Sequence, residues 1–200
     1  MKTEEPFSKQ IEDWLRSDRL KTLGELGNVF EEKSFAVAIL LLMFLPALPL
    51  PTGGITHVFE AITVLIAGEM VIGLPTIWVP ERWRDRELGK GIVEKAIPFI
   101  VRRVRWFERF SHRRGARLFE HRWFLRVLGL VVMVLAVAAS VAPPFSGLDT
   151  VPAMGAVVVA LGIILEDVAI MGIGFAIGAA GIVMILTIGA IVVRFIQGLF

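Results

Sequence analysis

The chain has 200 residues, and 56% of them are hydrophobic. Soluble domains use about 45–50% apolar residues, so the composition indicates a membrane protein. The formal net charge of +2 hides a local excess, because residues 81–126 hold 14 of the 21 basic residues, and the absence of cysteine excludes disulfides and thiolate metal sites.

Residues 1–33 are polar and charged, unlike a signal peptide, so we expect them to be retained in the cytoplasm. Phe7, Ile11 and Trp14 share one helical face, which predicts an amphipathic helix. Two placements remain open for it. The apolar face enters the membrane surface, or the helix is a soluble lid packed on that side of the membrane.

Residues 34–80 are predicted to form a helical hairpin. The apolar run from Ser34 meets Pro49 early, whereas a span needs about 20 residues, and a second apolar run begins at Ile55. Proline and glycine at membrane depth are tolerated only where protein or water covers the freed backbone groups. We therefore predict a re-entrant hairpin, with two complete tilted spans as the alternative. The predicted turn residues are Pro51, Gly53 and Gly54.

Residues 81–124 form a basic connecting segment, which is expected to be cytoplasmic because positive loops stay on that side. Helical spacing places apolar residues on one face: Val93, Ile97, Ile100, Val104 and Phe107. The opposite face carries the predicted headgroup-binding cations Lys95, Arg102, Arg105, Arg109 and Arg113. Anionic lipids attract such cations by about 1 kcal/mol each. The flanking apolar runs argue against nucleic acid as a partner.

Residues 125–167 are predicted to form a second hairpin, and residues 168–200 a C-terminal transmembrane helix. The second turn contains Pro144, Gly147 and Pro152. The last apolar run, from Val168 to Val193, is long enough to cross a membrane. Its Gly174-x-x-x-Gly178 spacing fits the motif by which membrane helices approach closely.

The two hairpins resemble an internal repeat. PLPTGGITHVFEAITVLIAG (49–68) and PPFSGLDTVPAMGAVVVALG (143–162) share a proline, a Pro-x-x-Gly turn and a second apolar helix. Paired broken segments are typical of transporter sites, although turns favour Pro and Gly in any protein. Because the connecting segment is too charged to cross, we expect both hairpins to enter from the same side.

Ionisable residues within membrane segments are candidates for function. The candidate transport or proton site comprises His57, Glu60, Glu69, Asp149, Glu166 and Asp167. His57 and Glu60 lie three apart on one helical face, where they form either a proton or cation site or a simple mutual hydrogen bond. The structural alternatives for the others are pairing with Arg82, Arg84 or Arg126 at the cytoplasmic interface and, for Asp149, an N-cap.

The arrangement LPALPLPTGGIT, AGEMVIG and WVPERW, followed by a basic helix and VAPPFSGLDTVPAMGAVVVALGIILEDVAIMGIG, resembles the ExoD family of bacterial membrane proteins. The most specific matches are Pro144, Gly147, Pro152, Gly162, Glu166 and Asp167. The resemblance implies a multi-pass protein of the bacterial inner membrane that is linked to exopolysaccharide production.

We therefore expect an all-α integral membrane protein that moves an ion, a proton or an envelope-precursor solute. A non-transporting scaffold for anionic lipid or a polysaccharide synthase is the alternative. The expected partners are the lipid bilayer, polysaccharide synthesis proteins and a second copy in a homodimer. A lipid-modifying enzyme is a third hypothesis. No nucleotide loop, metal-ligand spacing or activated nucleophile is recognisable for it, so we expect neither catalytic residues nor a cofactor or metal.

Overall fold

The structure, a computed structural model, describes residues 6–18, 20–22, 24–25, 33–49, 54–78, 80–112, 114–119, 121–143 and 146–197. Every longer element within these ranges is helical, which confirms the predicted all-α class. The helices are α1 (Phe7–Arg16), α2 (Ser34–Phe44), α3 (Ile55–Ile72), α4 (Glu81–Arg84), α5 (Ile97–Glu108), α6 (Ala116–Phe119), α7 (Arg122–Val141), α8 (Thr150–Leu165) and α9 (Val168–Gln197). The predicted site residues Pro51, Gly53, Arg113 and Pro144 lie outside the described residues.

Three helices have the length and composition of membrane spans: α3, α7 and residues Val168–Val192 of α9. They indicate a membrane protein. The 18 residues of α3 extend about 27 Å at about 1.5 Å per residue, close to the hydrocarbon thickness of about 30 Å. Each predicted hairpin therefore pairs one helix of spanning length with a shorter one, and both the re-entrant hairpin and its alternative of two complete tilted spans stay predictions.

The core is a ring of four helices. Helix α2 packs against α3, α3 against α7, α7 against α8, and α8 against α2. Neighbours in the ring run antiparallel, as shown where Lys33, just before α2, pairs with Glu166, just after α8. We call the end at which α3 and α8 begin the turn end. The opposite end, at which α2, α7 and α9 begin, is called the basic end.

The two shorter apolar helices, α2 and α8, are the ones that protein buries most. Helix α2 has 11 residues, and none of them is exposed. Helix α8 has 16 residues, and its buried face includes every residue from Val159 to Leu165. A short helix inside protein keeps its unpaired terminal backbone groups away from lipid.

The amphipathic faces predicted for α1 and α5 exist, but protein covers them. Phe7 and Ile11 of α1 pack with Ile97 and Ile100 of α5 over the side of α2. Protein thus covers these apolar faces, and the position of the two helices relative to the membrane surface stays a prediction. Because the apolar faces of α1 and α5 bury each other, neither helix needs lipid to cover its apolar face.

Polar contacts fix α1 on α5. The backbone N–H of Ser8 donates to Oε1 of Glu108 at 2.9 Å, and the Ser8 hydroxyl donates to Oε2 at 2.5 Å. Arg105 pairs with Glu12. The other predicted headgroup-binding cations that the structure describes are exposed: Lys95 before α5, Arg102 within it and Arg109 directly after it. The basic face that includes them is thus accessible to a partner.

Helices α8 and α9 approach each other along glycines, which confirms the close-approach prediction for Gly174 and Gly178. A Cβ added at Gly174 would lie 2.5 Å from the backbone nitrogen of Val159. One added at Gly155 would lie 2.5 Å from the Cα of Gly178. No real Cβ contact is this short, so any side chain there must separate the helices. By contrast, nothing lies within 4 Å of a Cβ at Gly172.

We predict that Gly174→Leu destabilises the protein, whereas Gly172→Leu does not. Overpacking a closed contact costs about 1–3 kcal/mol, and the matched position two residues away has open space. Reversible unfolding by added denaturing detergent in mixed micelles would measure both free energies of unfolding. Equal stability of the two variants would contradict the close packing of α8 on α9.

Candidate functional site

One face of α3 is buried along its whole length. Its buried residues are Thr56, Glu60, Thr63, Ala67 and Met70. Their spacing of four and three residues places them in one stripe, which faces the interior of the ring. The stripe is polar toward the turn end and apolar toward the basic end.

Glu60 is the charged centre of the polar half, and its side chain is 0% exposed. Its Oε2 lies 2.7 Å from Nδ1 of His57, as the sequence predicted from their spacing. Its Oε1 has no hydrogen-bond partner among the described residues. A buried carboxylate oxygen without a partner costs free energy.

Polar groups from the second half of the chain complete this site. Ser140, near the end of α7, and Asp149, just before α8, both act electrostatically on the Glu60 carboxyl group. The Ser140 hydroxyl donates its own proton to the carbonyl oxygen of Ala136 at 2.8 Å. Asp149 thus lies near enough to act on the charge of Glu60, whereas His57 contacts the Glu60 carboxyl group directly. Among the described residues, no group of three or more His, Cys, Asp or Glu side chains is arranged to hold a metal ion.

Asp149 occupies the N-cap position of α8, where the structural alternative placed it. Asp149 does precede α8, but its side chain makes no capping hydrogen bond. Its backbone carbonyl accepts the N–H of Ala153 at 3.1 Å instead. The carboxylate is therefore available to the Glu60 site.

Glu166 lies at the basic end, away from this site. It follows α8 with φ of 53°, in the left-handed region that normally favours glycine. The N–H of Asp167 donates to the carbonyl of Gly162, and that of Glu166 to the carbonyl of Ile163, which closes the helix end. Its carboxylate lies 3.0 Å from Nζ of Lys33. Glu166 therefore joins the start of α2 to the end of α8.

Asp167 holds the basic segment against the same helix end. Its Oδ2 accepts the backbone N–H of His112 at 3.1 Å and the Ser111 hydroxyl at 3.3 Å. Its Oδ1 accepts the N–H of Ala169 at 2.9 Å, at the start of α9. Burial would raise the pKa of this carboxyl group, but these hydrogen bonds and the nearby positive charge of Arg114 hold the pKa below its ordinary value.

Glu69 also lies at the basic end, about 14 Å from Glu60 along α3 at about 1.5 Å per residue. Its Oε2 accepts the backbone N–H of Trp78 at 2.9 Å. The location of Glu69, Glu166 and Asp167 at the cytoplasmic interface stays a prediction. Their partners include the Trp78 N–H for Glu69, Lys33 for Glu166, and the His112 N–H and Ser111 hydroxyl for Asp167.

The sequence reasoning missed Thr56, Thr63, Ser140 and Lys33. The two threonines lie four residues before and three after Glu60, so extending the helical face through Glu60 would have found them. Ser140 interrupts an apolar run close to the second turn. Lys33 carried no comparable signal, because its partner Glu166 is far away in sequence.

Comparison with known proteins gives two matches of use. The family model described as "Exopolysaccharide synthesis, ExoD" matches residues 7–187. The chain is 26% identical to "Uncharacterized protein slr1875" of Synechocystis over 201 residues, covering 97% of this chain and 89% of the relative. No solved structure matches the chain significantly.

We predict that Glu166→Ala destabilises the protein more than Glu166→Gly does. Both variants lose the pair with Lys33, but only alanine keeps the left-handed strain, a difference of about 1 kcal/mol. Thermal unfolding in detergent would measure the order of stability. Identical midpoints for the two variants would show that the backbone at this position is not strained.

Proposed function

The chain belongs to the ExoD family, whose name links it to exopolysaccharide synthesis, and we propose that it is a small membrane transporter in that process. It moves an ion, a proton or an envelope-precursor solute past Glu60, between the two halves of the ring. The step from the family's process to transport is our own and rests on the site.

The observation that carries this proposal is the buried, half-paired carboxyl group of Glu60. Removing a carboxylate from water costs several kcal/mol, and an apolar residue would fill the same place without that cost. Intramembrane carboxyl groups of this kind belong to ion pathways and proton relays in many membrane proteins. Convergence of Ser140 and Asp149 on Glu60 from the other half of the chain supports the same reading.

The packing of the ring supports the internal repeat. If α2 corresponds to α7 and α3 to α8, the contact of α2 with α8 corresponds to that of α7 with α3, and both contacts are present. Helices α3 and α8 also end alike, with Gly73 and Glu166 in left-handed conformation and the same pair of backbone hydrogen bonds. Sites between related halves are a common design of transporters.

The distribution of charge supports an orientation in a bacterial inner membrane. The basic end carries the connecting segment with 13 of the 21 basic residues, and positive loops remain in the cytoplasm. In this orientation the N-terminus is cytoplasmic, the turn end faces outward, and α9 carries the C-terminus across. The homodimer expected from the sequence remains a prediction.

We predict that Glu60→Gln reduces proton flux into proteoliposomes to the rate of protein-free vesicles. The amide cannot carry the exchangeable proton, whereas it keeps the shape of the side chain. A trapped pH-sensitive dye would report the flux under an imposed membrane potential. Glu69→Gln is the control, because its amide oxygen can still accept the Trp78 N–H, and it should keep wild-type flux. Wild-type flux in Glu60→Gln would overturn the transport proposal.

A scaffold that does not transport is the second candidate, and the free basic face of α5 favours it. Arg102 and Arg109 are exposed there, beside the exposed rings of Trp106 and Phe110. Guanidinium groups with neighbouring aromatics suit anionic headgroups at a membrane interface.

If the protein is a scaffold, we predict that the double variant Arg102→Glu and Arg109→Glu binds fewer anionic lipid molecules after purification than the wild type does. Native mass spectrometry would count the bound lipids. Arg194→Glu is the matched control for the charge change, because Arg194 lies in the last turn of α9, at the end of that helix opposite the basic end. This variant should retain the bound lipids. Unchanged lipid binding in the double variant would contradict the scaffold proposal.

A further inference from the structure

The polar half of the ring interior lies at the turn end. Thr56, Glu60 and Thr63 occupy the three positions of the buried α3 stripe that are closest to that end. Glu60 is five residues inside α3, about 8 Å from the start of the helix at about 1.5 Å per residue. The carboxyl group is thus buried but lies only a short distance below the turn end.

His57 lies between Glu60 and that surface. Its side chain is 29% exposed, whereas that of Glu60 is 0% exposed. One nitrogen of the ring already contacts the Glu60 carboxyl group at 2.7 Å. Histidine gains and loses protons near neutral pH, which makes it a suitable carrier between solvent and a buried acid.

The other half of the interior is closed by apolar packing. A Cβ added at Gly129 of α7 would lie 3.0 Å from the Cβ of Met70 and 3.1 Å from the carbonyl oxygen of Ala67. Val132, one turn further along α7, is completely buried. Such close contact leaves no room for water between α3 and α7 at this level, which is nearer the basic end than Glu60 is.

We infer that His57 and Glu60 bind one exchangeable proton, which reaches them only from the turn end. This inference rests on the proposed function, because it takes Glu60 as the transported proton's binding group. The pair is neutral when it holds one proton, and neutrality is favoured in an apolar interior. The groups that face it are the Asp149 carboxylate before α8 and the Ser140 hydroxyl of α7, and α2 (SFAVAILLLMF) contributes no charged side chain.

The first test uses wild-type protein in proteoliposomes of one orientation, with the pH set separately on the two sides. A hydrophobic carbodiimide reacts with protonated buried carboxyl groups, and mass spectrometry of the peptide that contains Glu60 gives the extent of modification. We expect the modification of Glu60 to increase as the pH falls at the turn end and to be independent of the pH at the basic end. Modification that follows the basic-end pH, or no modification at any pH, would overturn the inference.

The second test uses the absence of native cysteine. Ser140→Cys, close in shape to the original side chain, should react with a membrane-impermeant thiosulfonate added at the turn end only. Val132→Cys should react from neither side, and Arg117→Cys, exposed at the basic end, serves as the reference for that side. Reaction of Ser140→Cys or Val132→Cys from the basic end would contradict one-sided access.

These outcomes separate the two proposals. If flux requires Glu60 but modification follows the basic-end pH, the transport proposal survives and one-sided access fails. If Glu60→Gln keeps wild-type flux, the transport proposal fails, whichever side controls the modification of Glu60.

Discussion

Backbone groups at the ends of a helix need partners, and lipid supplies none. This constraint bears on α2 and α8, because both are shorter than the three helices of spanning length. Three longer helices can cross the membrane, and together with α1 and α5 they keep the short pair inside protein. Glycines at the α8–α9 contact serve the same purpose, since only their close approach allows α9 to cover α8. The other described helices are thus arranged around the two short ones.

Enclosure also creates the site. A ring interior that is sealed from lipid can hold a carboxyl group, and the structure places Glu60 there with one oxygen on His57 and the other without a partner among the described residues. The acids at the basic end have a different role. Glu166 and Asp167 join α2, α8, α9 and the connecting segment through an ion pair and backbone hydrogen bonds. Residues that look alike in the sequence thus divide into one candidate for chemistry and two structural links.

Local patterns predicted much of this architecture. Apolar runs gave the C-terminal span, the glycine spacing gave the contact face of α9, and the three-residue spacing gave the pair of His57 with Glu60. What covers each face was not predictable, because the periodicity of α1 or α5 shows that a face is buried and not whether lipid or protein buries it. The contribution of Ser140 and the pairing of Lys33 with Glu166 depend on contacts between distant segments. A single sequence carries no direct signal for such contacts.

The central claim is that Glu60 exchanges a proton within the membrane. Infrared difference spectroscopy of the protein in lipid nanodiscs, recorded across a pH titration, tests it most directly, with Glu60→Gln used to assign the bands. The account predicts a carboxylic acid band from Glu60 that disappears reversibly as the pH rises, together with the appearance of a carboxylate band. A Glu60 band that stays in one protonation state throughout the titration would contradict the account.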